Sequence, residues 1–172
     1  MADYGKSKGV TFDQYDSIML QDITIDINKN LRQWTWQYCT EFGFFQTPSE
    51  TSMRSSVIAL PFWSDYCKRI FKNKYVSPKT DYTNKLYGGT NIKGHNIFFA
   101  NAEEDPWQWA GMRDYNPTHY PTLQAEMINC TDCGHCVDFH TPTDNQPYEL
   151  TIVQTKIAET IGRWIEESVT KK

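Results

Sequence analysis

A chain of 172 residues has room for one domain with a core of moderate size. Its 17 basic and 21 acidic side chains give a net charge of -4, with no basic stripe for nucleic acid and no acidic tail for a basic partner. No apolar run approaches the roughly 20 residues of a membrane span, and 15% aromatic residues, six of them tryptophan, favour packed surfaces or pockets over disorder.

The opening stretch, Met1 to Gly9, has no apolar core and does not read as a signal peptide. Yet there are five cysteines and one sequon, Asn129-Cys-Thr131, and an odd count leaves at least one cysteine without a partner in the chain. A secretory-type sequence without a secretory signal reads as a piece of a larger protein.

In chain order, residues 11–33 are predicted helical and loosely amphipathic, from the spacing of Phe12, Tyr15, Ile18, Met19, Ile23 and Ile27. Residues 34–47 begin in alternation and predict a strand running into a loop, followed by a polar loop over 47–56. A short helix is predicted over 61–72, with Phe62, Tyr66, Ile70 and Phe71 inward. Tyr87-Gly-Gly89 marks a turn. Asn96 to Ala100 predicts a strand buried on both faces. Residues 105–120 are a loop rich in Trp, Pro and Tyr, and Gln124 to Ile128 predicts a second strand. Leu150, Val153, Ile157, Ile161 and Trp164 recur at helical steps, so 147–168 should pack as an amphipathic helix on a sheet. Asp144 and Asn145 offer caps, and Glu149 suits the first turn. Two strands and a terminal helix are the tail of a larger α/β sheet.

Asp105 follows the first apolar run, which places it at the carboxyl edge of a sheet, where catalytic groups gather. Pro106 fixes the backbone after it and Trp107 can shield it from water. His135 follows the second run on a loop beginning Cys133-Gly134, where Gly134 would allow a close backbone approach. An acid and then a histidine, each after a strand, supply two members of an α/β-hydrolase triad. The competing histidines are His95, at the wrong end of its strand, His119 in the Pro-rich loop, and His140. Cys130-x2-Cys133-x2-Cys136-x3-His140 is a partial match to iron–sulfur or zinc ligation. A local disulfide between two of the three is the stronger reading in an oxidising compartment, so no metal or other cofactor is assigned. Gly5-Lys-Ser-Lys-Gly9 matches the nucleophile-elbow pattern only formally, because no buried strand precedes it.

From Trp34 to Trp164 the sequence resembles the carboxy-terminal part of the serine carboxypeptidase family that includes lysosomal Pro-X carboxypeptidase, dipeptidyl peptidase II and thymus-specific serine protease. The resemblance rests on Trp34-Thr-Trp-Gln-Tyr-Cys-Thr-Glu-Phe-Gly-Phe-Phe-Gln-Thr47, Tyr87-Gly-Gly89, Asn101-Ala-Glu-Glu-Asp-Pro-Trp107 and Gly134-His-Cys-Val-Asp138, in the family's order. It implies that Asp105 and His135 match the triad acid and base and that Cys39 pairs with Cys67. From composition, the aromatic block with Trp36 and Glu41 is expected to line or support the substrate pocket, with Trp107 as a further pocket residue. Residues 1–33 would be the end of an inserted helical cap, and 34–172 the C-terminal part of an α/β-hydrolase domain. The family's Gly-Gly-Ser-Tyr-Gly-Gly nucleophile segment does not occur.

The expected function is therefore that of a serine-type peptidase, an exopeptidase cleaving peptides near proline. It would be lysosomal, vacuolar or secreted as an intact protein, with homodimerisation open. This chain would hold the triad Asp and His without the Ser, be inactive alone, and expose an unpaired strand edge. Two rivals are a non-catalytic peptide- or sugar-binding remnant and a small zinc or iron–sulfur protein built on the cysteine cluster.

Overall fold

A computed structural model describes residues 16–27, 30–75, 77–114 and 122–170. The chain divides into two compact units, Met1–Tyr87 and Gly88–Lys172.

The first unit is helical. Helix α1 spans Leu31–Thr40 and α2 spans Leu60–Phe71. A disulfide between Cys39 and Cys67, 28 residues apart in sequence, joins them inside a core of Leu20, Tyr66, Ile70 and Phe71. The strand expected from residue 34 onward is instead α1. Its aromatic residues alternate in sequence, but its buried residues do not. Thr35 and Cys39 point inward four residues apart. The buried threonine hydroxyls stay satisfied by bonding back one turn, Thr35 Oγ1 to Leu31 O at 2.8 Å and Thr40 Oγ1 to Trp36 O at 2.7 Å. Burial on a 3.6-residue period has overridden β propensity here.

The helix expected over 11–33 is also corrected. Residues 1–15 lie outside the described residues, and the described part holds a 3₁₀ turn at Met19–Gln21 and, from Leu31, the start of α1. Asp16 and Asp22 each accept from the backbone N–H two residues on, at Ile18 and Thr24. Such local bonds compete with a helical ladder, and Ile23, Ile25 and Ile27 are left almost fully exposed. The Arg32 side chain bonds Leu20 O and lies over the Phe71 ring, which ties this segment to the core.

Helix α2 starts with Pro61 in its first turn, where no donor is needed, and buries Tyr66, Cys67, Ile70 and Phe71; Phe62 is half-buried. A further helix, α3 (Thr80–Tyr87), has no buried residue. It is attached to the end of α1 by Lys79 N donating to Thr40 O and Thr83 Oγ1 donating to Glu41 O.

The second unit follows the Tyr87-Gly-Gly89 turn, where Gly88 sits at φ +96°. Strands β1 (Ile97–Ala102) and β2 (Leu123–Ile128) pair in parallel, from Ile97 opposite Leu123 to Ala102 opposite Ile128. Helix α4 (Tyr148–Thr170) packs on one face, where Leu150 and Val153 meet Ala102 and Ile128. The polar residues of β2 on that face also meet α4. Lys156 Nζ reaches Glu126 at 2.8 Å, and Thr160 Oγ1 reaches Gln124 at 3.1 Å. β1 is not buried on both faces along its length. Only Asn101 and Ala102 are buried, because among the described residues it has a single neighbouring strand. The hydrogen bonds at the start of α4 come from Gln146, which reaches Thr151 and Gln154. No helix among the described residues is long and apolar enough to cross a membrane.

Candidate active site

Parallel strands deliver their carboxyl ends to the same edge of a sheet. Past that edge, Glu103 N donates to Ile128 O at 3.0 Å and Glu104 N to Cys133 O at 3.2 Å. These two bonds carry the pairing of the strands on into their loops. Asp105 then caps a 3₁₀ turn, Pro106–Trp109, with Oδ1 accepting from Trp107 N at 2.8 Å. The buried Gln108 closes the turn by donating to Glu103 O at 2.5 Å.

The loop after β2 is folded by a disulfide between Cys130 and Cys133, with Cα atoms 5.5 Å apart. Cys133 is fully buried against α4 and the strand ends. Asp132 and Cys136 both take left-handed backbone, at φ +63° and +59°, which is uncommon without glycine. A 3₁₀ turn at Val137–Phe139 follows, and Gln154 of α4 donates to Asp138 O at 3.1 Å and His140 O at 2.9 Å. The segment carrying His135 is thus pinned on both sides.

The result is a short contact between His135 Nδ1 and Asp105 Oδ2, at 2.8 Å. The aspartate side chain is 12% exposed and the imidazole 59%. The Trp107 ring lies 6.4 Å from the imidazole, tilted by 45°. A carboxylate only accepts, so Nδ1 carries the proton and Nε2 keeps its lone pair. The contact thus fixes the tautomer that leaves Nε2 available to accept a proton. Two neighbours are also perturbed. Partial burial, then the Asp105 charge, pushes the Asp138 carboxyl up, against the pull of its own backbone N–H, His135 and His140. Burial, then Asp138 and Asp105, raises the Cys136 thiol, which keeps it protonated and poorly nucleophilic.

Of the residues singled out from sequence, Asp105, His135 and Trp107 come together. Trp36 and Glu41 belong to the first unit: Trp36 packs edge-on against Phe71 at 5.0 Å, and Glu41 is exposed at the end of α1. His95 pairs with Thr122 at the opposite ends of the strands, His140 is exposed, and His119 and Ser7 lie outside the described residues. A Cβ on Gly134 would meet nothing within 4 Å, so the close approach expected there does not occur. Cys130 and Cys133 bond each other and Cys136 is free; no group of three His, Cys, Asp or Glu that could hold a metal occurs among the described residues. Sequence reasoning missed Gln154. Its one trace is a polar side chain beside the apolar stripe of α4, next to Val153.

A family pattern described as serine carboxypeptidase S28 matches residues 6–157. Similar proteins include "Probable serine protease EDA2" of Arabidopsis thaliana, 37% identical over 76% of this chain and 26% of the relative. "Probable extracellular serine carboxypeptidase" of Arthroderma benhamiae is 32% identical over 94% of this chain and 24% of the relative. "Lysosomal Pro-X carboxypeptidase" of Bos taurus is 27% identical over 78% and 26%. The chain spans about a quarter of the length of the curated relatives it matches, 24% to 30%. No solved structure matches.

Proposed function

As this chain belongs to the serine carboxypeptidase S28 family, we propose that its second unit supplies the acid and base of a serine-type peptidase. The observation that carries this is the 2.8 Å contact between Asp105 and His135 beyond the carboxyl ends of two parallel strands. Asp105 holds the imidazole by Nδ1. His135 takes the proton of a serine hydroxyl at Nε2 and returns it to the leaving amine, and the imidazolium formed between the two steps is stabilised by the carboxylate. The Trp107 ring flanks the imidazole on one side, 6.4 Å away.

Among the described residues no serine is hydrogen-bonded to His135. The nucleophile in this proposal comes from sequence outside these 172 residues. The chain alone is then inactive, because losing a triad member leaves only binding and oxyanion effects. The substrate class is peptide, with cleavage near proline taken from the family resemblance and from the name of the bovine relative. Secretion or lysosomal residence follows the names of the fungal and bovine relatives in the same way.

Fluorophosphonate labelling tests the reading. The 172-residue chain should take up no label, while a longer protein containing it should be labelled at a serine outside it, and Asp105→Asn should abolish that labelling. Stoichiometric labelling of Ser7 would overturn the proposal.

A further inference from the structure

The one sequon, Asn129-Cys-Thr131, has no part in the Asp105–His135 contact. Asn129 directly follows Ile128, the last residue of β2, and is exposed, as is Thr131. The residues on either side of Asn129 are not: Ile128 is fully buried and Cys130 is 8% exposed. The chain therefore turns Asn129 outward between two anchored residues, and its side-chain amide carries no hydrogen bond to another described residue. An asparagine or aspartate after a strand often bonds the backbone two residues on. Asp105, past the end of β1, does so through Trp107 N. Asn129 does not, so the fold makes no use of its side chain.

Two disulfides in this chain, and relatives named as extracellular or lysosomal, fit an oxidising compartment. An exposed Asn-x-Thr in such a compartment is an acceptor for an N-linked glycan. We propose that Asn129 is such a modification site, and that its occupancy is set by a race with closure of the Cys130–Cys133 disulfide. This modification depends on the secretory part of the functional reading and not on peptidase chemistry. The donor is an oligosaccharide carried on a lipid pyrophosphate. Nδ2 of Asn129 bonds to the anomeric carbon, and the bond from that carbon to the pyrophosphate oxygen breaks. The lipid pyrophosphate leaves with the electron pair, the amide proton passes to a base of the transferase, and nothing is oxidised or reduced.

The race follows from the middle residue of the sequon. A transferase has to hold the acceptor triplet extended and clear of the rest of the protein. In the folded loop the triplet is centred on a buried cysteine bonded to Cys133, with Cα atoms 5.5 Å apart. Ile128 O accepts from Glu103 N just before it, and Asp132 takes left-handed backbone at φ +63° just after it. Lifting the triplet would pull Ile128 and Cys130 out of the core, so transfer is confined to the time before the loop closes. The two cysteines are three residues apart, so they meet early and a fraction of molecules closes first. The glycan grows from the carboxyl edge of β2, the edge that carries Asp105 and His135. A bulky hydrophilic chain then stands at the candidate site's end of the sheet and not at the His95 end.

The test uses a longer protein that contains this chain, made in a eukaryotic secretory host. Glycans are removed by an amidase in heavy-oxygen water, which leaves a mass-tagged aspartate wherever sugar was attached, and tandem mass spectrometry reads residue 129. Asn129 should be partly occupied. Dithiothreitol added to the cells during synthesis keeps the cysteines reduced without altering the sequon, and occupancy should rise toward completion. Cys133→Ser combined with Cys136→Ser, which leaves Cys130 no local partner and the sequon intact, should raise it in the same way. A bare Asn129 in protein whose Cys39–Cys67 bond has formed overturns the proposal, as does an occupancy that neither treatment moves. Reduced cysteines and no sugar at any position would defeat the secretory reading and the proposal with it, a result told from the first by the state of Cys39 and Cys67.

Discussion

The Cys39–Cys67 disulfide gives the sharpest quantitative expectation for the first unit. It closes a loop of 28 residues between two helices that otherwise meet through a small aromatic core. In the chain-entropy model a loop of that length contributes about 3.5 kcal/mol, mostly by restricting the unfolded chain. The bond in the His135 loop, with a separation of three residues, is worth only about 1.5 kcal/mol in the same model. Replacing both Cys39 and Cys67 by alanine should therefore lower the protection of α1 and α2 amides by roughly 300-fold, since about 1.4 kcal/mol is a factor of ten. Hydrogen exchange read peptide by peptide is the right assay, because the chain divides into two units and a single melting temperature would mix them. The serine pair should be worse than the alanine pair. Both sulfurs are fully buried, and a hydroxyl left there without a partner costs about 1–3 kcal/mol. A fall of less than about tenfold in the first unit, or an equal fall over β1, β2 and α4, would refute the reasoning.

Three further outcomes are expected. In a longer protein that carries the nucleophile, Asp105→Asn should lower kcat by roughly 10⁴-fold, because the amide favours the wrong imidazole tautomer; steady-state kinetics on a peptide substrate checks this. Gly111→Ala places a Cβ 2.5 Å from Asn101 Oδ1, and Asn101 must hold Met112 O through Nδ2. It should destabilise the second unit by about 1–3 kcal/mol in urea unfolding, while Gly134→Ala should stay within about 0.5 kcal/mol. Asp138 has its carboxyl raised, so the folded state favours the neutral acid. Its contribution is fully present below the ordinary value of 3.8 and is lost as pH rises through the raised one. Asp138→Asn should thus raise the thermal stability of the second unit at neutral pH and lose that advantage in acid; a gain that persists unchanged at low pH would count against it.

The second unit was legible in the sequence, the first much less so. Short apolar runs before Asp105 and before the cysteine cluster do form strands, and the Leu150–Val153–Ile157 stripe does form the helix that packs on them. Period and position agreed there. In residues 34–40 they disagreed. The tryptophans and tyrosine alternate, but the core is made by Thr35 and Cys39, small residues whose burial only the disulfide and the opposing helix explain. Helix α3 buries nothing and so leaves no stripe to find. At the site, residue identities suggested the acid and the base. The backbone bonds from Glu103 and Glu104, and the anchoring by Gln154, depend on register and on a helix some 20 residues downstream, which no local pattern encodes.

Asp105 engages a different partner with each oxygen, a backbone amide through one and an imidazole through the other. A carboxylate gripped at both ends cannot pivot, so the aim of the histidine is inherited from the main chain at residues 105–107 and not from any side-chain rotamer. Glutamate would carry the same charge on a longer arm and could not satisfy both grips at once. The geometry is therefore portable. Two short segments, 103–109 and 128–136, cross-stitched by two backbone hydrogen bonds, are the smallest piece an engineer would need to graft onto another pair of parallel strands.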